Sequence, residues 1–267
     1  MGVSVPMPEP LLKVVDVWKS FGTVMALKGV SFEMDRGEVV GLLGDNGAGK
    51  STMAKIIAGV YQPDKGEIWF DGRKVRWNSP KEAREAGIEI VYQDLALIDL
   101  LSVARNFFLG REPVKKVGPF KFLDLKKMTL ESLKKVREIG VKIRDSSVRV
   151  SALSGGERQA VAIARAVYFK AKLVILDEPT ASLSVRETHK VLELVKELKN
   201  SGIGVIFITH NVYHVYEVAD KFVILDRGVK IATYSKEEVS PEDIIETIRL
   251  GKPVKAAKQQ EEAAAEA

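Results

Sequence analysis

The residues whose types and spacing are best suited to chemistry are Gly44-Asp45-Asn46-Gly47-Ala48-Gly49-Lys50-Ser51, followed directly by Thr52. They satisfy the phosphate-binding pattern G-x-x-x-x-G-K-[ST] at every specified position. Glycines keep side chains clear, so consecutive backbone N–H groups can turn inward on a polyphosphate. Lys50 adds a full positive charge near the β and γ phosphates, and the start of the following helix adds a partial one. Ser51 offers a hydroxyl to Mg²⁺. Asp177-Glu178 ends the apolar run Leu173-Val174-Ile175-Leu176. An acid at the carboxyl end of such a strand can hold Mg²⁺ through water, and its neighbour can orient an attacking water. The plainer account, a polar strand end, is disfavoured beside a phosphate loop. His210 follows the apolar run at 204–209. It is either a polar loop residue or a contact for the γ-phosphate, since ligands bind beyond the carboxyl ends of such strands. These residues imply a chain that binds a nucleoside triphosphate.

A second phosphate-directed element stands at Leu153-Ser154-Gly155-Gly156-Glu157-Arg158-Gln159. Ser154 and Glu157 have the spacing of a capping box, which alone indicates only a helix start. The pair Gly155-Gly156 weakens the first helical turn. Side-chain-free residues beside uncapped N–H groups make a second place able to grip phosphate oxygens.

The elements that must position these groups can be read from the pattern of apolar and turn residues. Residues 38–43 read as a buried strand entering the phosphate loop, and 50–58 as a helix ended by Gly59. Before them the chain is β-rich, with strands over 11–18 and 23–34, the second turning at Gly29. Phe21 lies between those strands, where it can stack on a purine or simply pack; taken alone, packing is favoured. Ser79 caps a helix with Pro80 at its first position, Gly87 ends it, and a short strand leads to Gln93. Residues 94–150 have helix-like apolar spacing, as in Met128, Leu130, Leu133 and Val136. This region carries Lys115, Lys116, Lys121, Lys126, Lys127, Lys134, Lys135 and Arg137. A solvated basic helix face is the favoured account, and proximity to anionic lipid head groups is the functional alternative. Residues 185–200 form an amphipathic helix, 204–209 a strand, and 220–234 a closing hairpin through Arg227-Gly228. Residues 252–267 carry Lys, Gln, Glu and Ala and are expected to fray.

At 267 residues, with 46% hydrophobic and 29% charged, the chain has the make-up of a globular protein of one large domain or two small ones. Its 41 Lys plus Arg against 36 Asp plus Glu give a net charge of +5, which permits an anionic partner without demanding nucleic acid. The absence of cysteine excludes disulfides, thiolate catalysis and cysteine metal sites. No apolar run approaches the ~20 residues of a membrane helix. Residues 1–10 lack the features of a signal peptide, and Pro6 breaks the myristoylation pattern, so the chain is expected to stay where it is made.

With the phosphate loop, Gln93, residues 153–159, Leu176-Asp177-Glu178 and His210 in this order, residues 11–248 resemble an ABC transporter ATP-binding subunit. Leu153-Ser154-Gly155-Gly156-Glu157-Arg158-Gln159 resembles the family's signature, its most specific mark. The resemblance implies an α/β fold: a P-loop NTPase core with a mainly parallel sheet, an N-terminal antiparallel β subdomain and an inserted helical subdomain. On that plan, 1–10 is an extension, 11–250 a single ATPase domain with the helical insertion at about 94–165, and 251–267 a tail. The cofactors implied are ATP and Mg²⁺. The family's pattern makes Phe21 the aromatic on adenine, reversing the odds above. It makes Lys50 the ligand of the β and γ phosphates, with Ser51 and Gln93 near Mg²⁺. It assigns Asp177 to the metal's water shell, Glu178 to general-base catalysis and His210 to the γ-phosphate. Gly44 to Thr52 then form the nucleotide cradle, while Ser154, Gly155 and Gly156 complete the site of a second copy in a head-to-tail dimer.

Gly44-Asp45-Asn46-Gly47, Val91-Tyr92-Gln93-Asp94-Leu95-Ala96-Leu97, Phe108-Leu109-Gly110-Arg111-Glu112 and Thr209-His210-Asn211 resemble carbohydrate importers of the ribose, xylose and fructose class. Implied partners are a second ATP-binding subunit, integral-membrane permease subunits and, indirectly, a sugar-binding protein, at the cytoplasmic face of the cell membrane. No nucleic acid is implied. Two departures stand out: many members carry two ATP-binding halves and this chain one, and Ser184 replaces the usual Asp. The competing readings fit less well. A soluble ABC ATPase acting on nucleic acid or ribosomes usually shows a coiled-coil insertion or two halves. A GTPase or small-molecule kinase sharing only the phosphate loop would leave the Ser-Gly-Gly element without a purpose, and the chain lacks the Asn-Lys-x-Asp guanine motif.

Overall fold

The chain opens with an antiparallel pair, β1 (Leu12–Phe21) and β2 (Val24–Met34), and β3 (Val39–Leu43) then leads through the phosphate loop into α1 (Lys50–Ile57). β4 (Lys65–Phe70), β5 (Arg73–Val75), α2 (Pro80–Ala86) and β6 (Ile88–Val91) follow. Next come α3 (Val103–Phe107), a hairpin of β7 (Val114–Val117) and β8 (Phe120–Leu123), and α4 (Leu125–Glu138). The remainder runs α5 (Gly155–Tyr168), β9 (Leu173–Asp177), α6 (Val185–Asn200), β10 (Gly204–Ile208), α7 (Val212–Val218), β11 (Lys221–Asp226), β12 (Val229–Ser235) and α8 (Pro241–Leu250). This is a computed structural model, and it describes residues 9–138 and 143–254.

The apolar runs are continuous because their strands are covered on both sides. Six strands form one sheet in the order β12-β11-β3-β10-β9-β6, parallel except for β11 with β12. Side chains alternate between two cores, as the two-residue strand period requires. Val39, Val174, Leu176, Val205, Phe207, Phe222 and Ile224 meet α5, α6 and α7 on one face. Val40, Leu42, Leu173, Ile175, Ile206, Ile208, Val223 and Leu225 meet α1 and the β1 side on the other. Each such side chain contributes about 1.5–3 kcal/mol when fully buried. Gly41 allows α7 to approach β3: a Cβ there would lie 2.8 Å from Val215 Cγ2 and 3.0 Å from Phe222 Cδ1.

A four-stranded antiparallel sheet in the order β2-β1-β4-β5 packs into the second core. A third cluster, with Val103, Phe107, Met128, Val136, Val161 and Ala164, joins α3, α4 and α5. Helix α5 serves two cores, since Ala160 and Ile163 face the main sheet. The α/β fold with antiparallel and helical additions is therefore as expected.

Register brings the chemistry to one edge. Ile208 pairs with Leu42 of β3 and with Asp177 of β9, so three parallel strands end together. The phosphate loop, Asp177-Glu178 and Thr209-His210 leave the sheet at that edge.

Three local expectations need correction. β2 does not turn at Gly29; it runs through that residue at φ 76°, with the β1–β2 register slipping between Val17 and Lys19, which is a bulge. Residues 114–123, expected to continue a helical texture, form the β7–β8 hairpin around Gly118 at φ 60°. Gly-Pro breaks any helical period there and turns the chain. At the other end, Val254 is buried and its N–H donates to Tyr234 Oη at 3.3 Å, so the expected fraying does not begin at 252. Residues 1–8 of the expected extension and 255–267 of the expected tail lie outside the described residues.

Candidate functional site

Gly44 leaves β3 at φ 139°, and a Cβ there would lie 2.1 Å from Leu225 O, so only glycine fits against β11. Gly49, at φ 104°, stands where α1 begins, and α1 has neither a side-chain cap nor an acid in its first turn. Its N-terminal amides and dipole are left for an anion. Lys50 Nζ donates to Gly44 O at 2.7 Å and to Asp45 O at 2.9 Å, which folds the loop around its ammonium group. Burial lowers the Lys50 pKa, while Glu178, Asp177 and Asp45 oppose that shift.

Across the loop, Ser51 Oγ donates to Asp177 Oδ1 at 3.4 Å. Burial raises the Asp177 pKa; the Ser51 hydroxyl opposes this and the Glu178 charge adds to it. Glu178 occupies left-handed backbone space at φ 51° and donates its N–H to Ile208 O at 2.8 Å. For a non-glycine residue such a conformation costs about 1 kcal/mol or more and needs support from its surroundings. That support is visible. Glu178 Oε2 accepts from Thr209 Oγ1 at 3.0 Å, and Oε1 accepts from the His210 N–H at 3.1 Å. His210 Nδ1 lies 2.8 Å from the same Oε1.

Lys50, Ser51, Asp177 and Glu178 line a cleft of about 520 Å³. Asn46, Gly47, Ala48, Gly49, Lys50, Ser51, Thr52, Gln93, Asp177 and Glu178 all border it. Gly44 and Asp45 stand behind the loop and contribute carbonyls to Lys50. His210 reaches the site through Glu178. Phe21 is not in the cleft wall; its ring lies edge-on to Tyr61 at 5.0 Å between centroids, with Lys19 Nζ 5.5 Å above it. Its strand partner Val24 and the adjacent Met25 border the cleft instead.

Ser154, Gly155 and Gly156 are not among the residues bordering this cleft. The capping box is formed: Ser154 Oγ accepts from Glu157 N at 3.3 Å, and Glu157 Oε2 accepts from Ser154 N at 2.9 Å. The expected free amide at Gly156 is not free. It donates to Glu187 Oε1 at 3.2 Å, from the first turn of α6. Hydrogen bonds from Ser184, Gly156 and Ser154 lower the Glu187 pKa to about 2.

Several functional positions escaped the sequence. Lys28 and Arg227 border the cleft. Gly228 ties that corner to the phosphate loop, accepting from Lys28 N at 2.8 Å and donating to Ala48 O at 3.1 Å. Thr209, fully buried, holds Glu178. Only the apolar-run end at Thr209 carried a sequence signal; Lys28 and Arg227 arrive by tertiary packing.

Residues 27–181 match a family described as ABC transporter. The chain is 55% identical over 238 residues to the xylose/arabinose import ATP-binding protein XylG of Sulfolobus acidocaldarius, covering 89% of this chain and 93% of that protein. It is 43% identical over 242 residues to the fructose import ATP-binding protein FrcA of Rhizobium meliloti, with coverage of 89% and 93%. A dimeric ATP-binding cassette solved in a post-hydrolysis state with ADP and Pi bound superposes with a TM-score of 0.69 at 28% identity, covering 84% of this chain and 98% of that one. The cleft geometry and these likenesses agree: the chain belongs to the ABC transporter family, as an ATP-binding and ATP-hydrolysing subunit.

Proposed function

We propose that this chain powers the import of a monosaccharide, of the class handled by its xylose/arabinose and fructose relatives. Residues 11–250 would act as one ATPase unit, including the helical insertion at about 94–165. The convergence of Lys50, Ser51, Asp177 and Glu178 on one cleft carries the ATPase part of the reading, and the two import relatives support the sugar class.

Lys50 and the loop amides hold the β and γ phosphates, and Phe21 is assigned to the adenine side. Asp177, Ser51 and Gln93 offer oxygen donors, a hard set suited to Mg²⁺ with several of its waters retained. When bound, Mg²⁺ neutralises charge on the β and γ oxygens. Glu178 accepts the proton of a water attacking the γ-phosphorus, the bond to the β-phosphate oxygen breaks, and ADP leaves. His210 contacts the γ-phosphate and, through Oε1, orients Glu178. Ser154, Gly155 and Gly156 close the site of a second copy, which requires Glu187 to release the Gly156 amide. The chain would work at the cytoplasmic face of the membrane, while the permease and an external sugar-binding protein would select the sugar.

Phosphate release from ATP should stop in EDTA and in a folded Glu178→Gln protein. Turnover unchanged in either case overturns the site assignment. Loss of the gene should abolish ATP-driven uptake of one pentose or of fructose. Undiminished uptake of all of them, with retention of the protein on nucleic acid rather than on permease-containing membranes, would favour a soluble role.

A further inference from the structure

The β7–β8 hairpin buries none of its side chains: every residue from 114 to 123 is exposed. Its register, Val114 with Leu123, Lys115 with Phe122, Lys116 with Lys121 and Val117 with Phe120, assigns two faces. One carries Val117, Phe120 and Phe122 with Lys115; the other carries Val114 and Leu123 with Lys116 and Lys121. Val117 is 57% exposed, Phe120 66% and Phe122 52%, which is unusual for apolar groups set side by side. Lys116 stands directly across from Lys121, a like-charge pair that disfavours the hairpin. A two-stranded hairpin is at best marginal by itself in water. Helix α4 starts beside it with Lys126 and Lys127 and no acid in its first turn, against the sense of the helix dipole. Asp124, the single acid between 114 and 127, has Oδ1 taken up by the Lys127 backbone N–H at 3.0 Å. Among the described residues, none of these five lysines is in an ion pair.

An occupant that is anionic at its surface and apolar beneath removes all of these penalties together. We propose that the hairpin docks on an anionic lipid surface. The uncharged tip, Val117-Gly118-Pro119-Phe120, enters the boundary between head groups and acyl chains, and Lys115, Lys116, Lys121, Lys126 and Lys127 meet lipid phosphates. Long lysine stems suit this arrangement, since they lie along apolar surface while the ammonium groups reach the charged layer. An acidic protein surface would answer the lysines but leave the aromatic tip in water. The inference is independent of the transport reading, because the hairpin borders no part of the nucleotide cleft.

The test is co-sedimentation of the purified full chain with phosphatidylcholine vesicles, with and without phosphatidylglycerol. The wild-type chain should bind only the anionic vesicles, and less at about 0.5 M salt. Replacing Lys115, Lys116 and Lys121 by Ala should weaken partitioning about fivefold per lysine, on the order of 100-fold in all. Phe120→Trp, which keeps the tip apolar, should add fluorescence that shifts to the blue on anionic vesicles, read as the difference from the parent chain. ATP affinity should be the same in every variant, which reports that each is folded. The proposal is overturned if the wild-type chain ignores anionic vesicles, if the lysine variant binds them as well as wild type, or if the fluorescence added by Phe120→Trp does not move. Capture by polyglutamate without vesicle binding would also overturn it, in favour of an acidic protein partner.

Discussion

Lys50 and Asp177 are buried charges whose pKa values burial moves in opposite directions, down for the amine and up for the acid. Burial disfavours the charged form of each in the nucleotide-free fold. For Lys50, Ala leaves the amide cradle intact but removes the full charge facing the phosphates. A charged hydrogen-bonding group contributes about 1.5–3 kcal/mol, so ATP affinity in a folded Lys50→Ala protein should fall roughly 10- to 100-fold by calorimetry. Equal affinity would refute the assignment. For Asp177 the sign runs the other way. Its folded pKa lies above the ordinary value of 3.8, so the fold favours the protonated acid. That contribution is present below pH 3.8 and is lost as pH rises through the raised value. Above that raised value the ionised carboxylate weakens the nucleotide-free fold. Asp177→Asn should therefore raise Tm at pH 7, raise it less toward pH 4, and abolish Mg²⁺-stimulated turnover. A Tm at or below the parent's at pH 7 would contradict this. Lys50, Ser51, Asp177 and Glu178 were legible because their chemistry sits at fixed offsets from strand ends. Lys28, Arg227 and Glu187 were not, because each comes to its place from a distant segment and no local pattern marks it.

At the scale of elements, the buried strands were legible to within a residue or so because three of them, β3, β9 and β10, are covered along their whole length. The hairpin at 114–123 was not legible because its Val-Lys-Lys-Val and Phe-Lys-Phe-Leu strands show no sustained alternation and no buried face, so helical spacing on either side masked the Gly-Pro turn. Gly41 shows what sequence alone conceals inside a well-read strand. A Cβ there would meet the side chains of Val215 on α7 and Phe222 on β11, so any larger residue must displace them. Gly41→Val should cost about 1–3 kcal/mol, the usual range for overpacking. Urea unfolding should show a lower midpoint with an unchanged slope. An unshifted midpoint would mean that α7 packs loosely against the sheet.

For the molecule as a whole, the cleft around Lys50 and the α5 start at Ser154-Gly155-Gly156 do not share a lining, and the proposed function makes them two half-sites. In the proposed head-to-tail pair of chains, one would be brought to the other and the nucleotide would become part of the interface. Nucleotide that binds the dimer in preference to the monomer must pull the equilibrium toward the dimer. Hydrolysis dissipates that pull, so the pairing is clearest where water attack is blocked. Glu178→Gln keeps its size and its hydrogen bonds to Thr209 and His210 within reach but no longer accepts a proton. With Mg²⁺ and ATP it should run as a dimer in light scattering, and without nucleotide as a monomer. Glu187 adds a second handle, because its carboxylate already occupies the Gly156 amide that the partner's γ-phosphate would need. In the Glu178→Gln background, Glu187→Gln removes the competing charge while retaining a capping oxygen, and should lower the ATP concentration needed for dimerisation. Gly155→Glu, which puts bulk and negative charge against the same phosphate, should abolish the dimer. If the Gly155→Glu double mutant still dimerises with ATP, the sandwich is wrong. If Glu187→Gln instead raises the ATP requirement, Glu187 holds the α5–α6 corner in shape rather than guarding its amide.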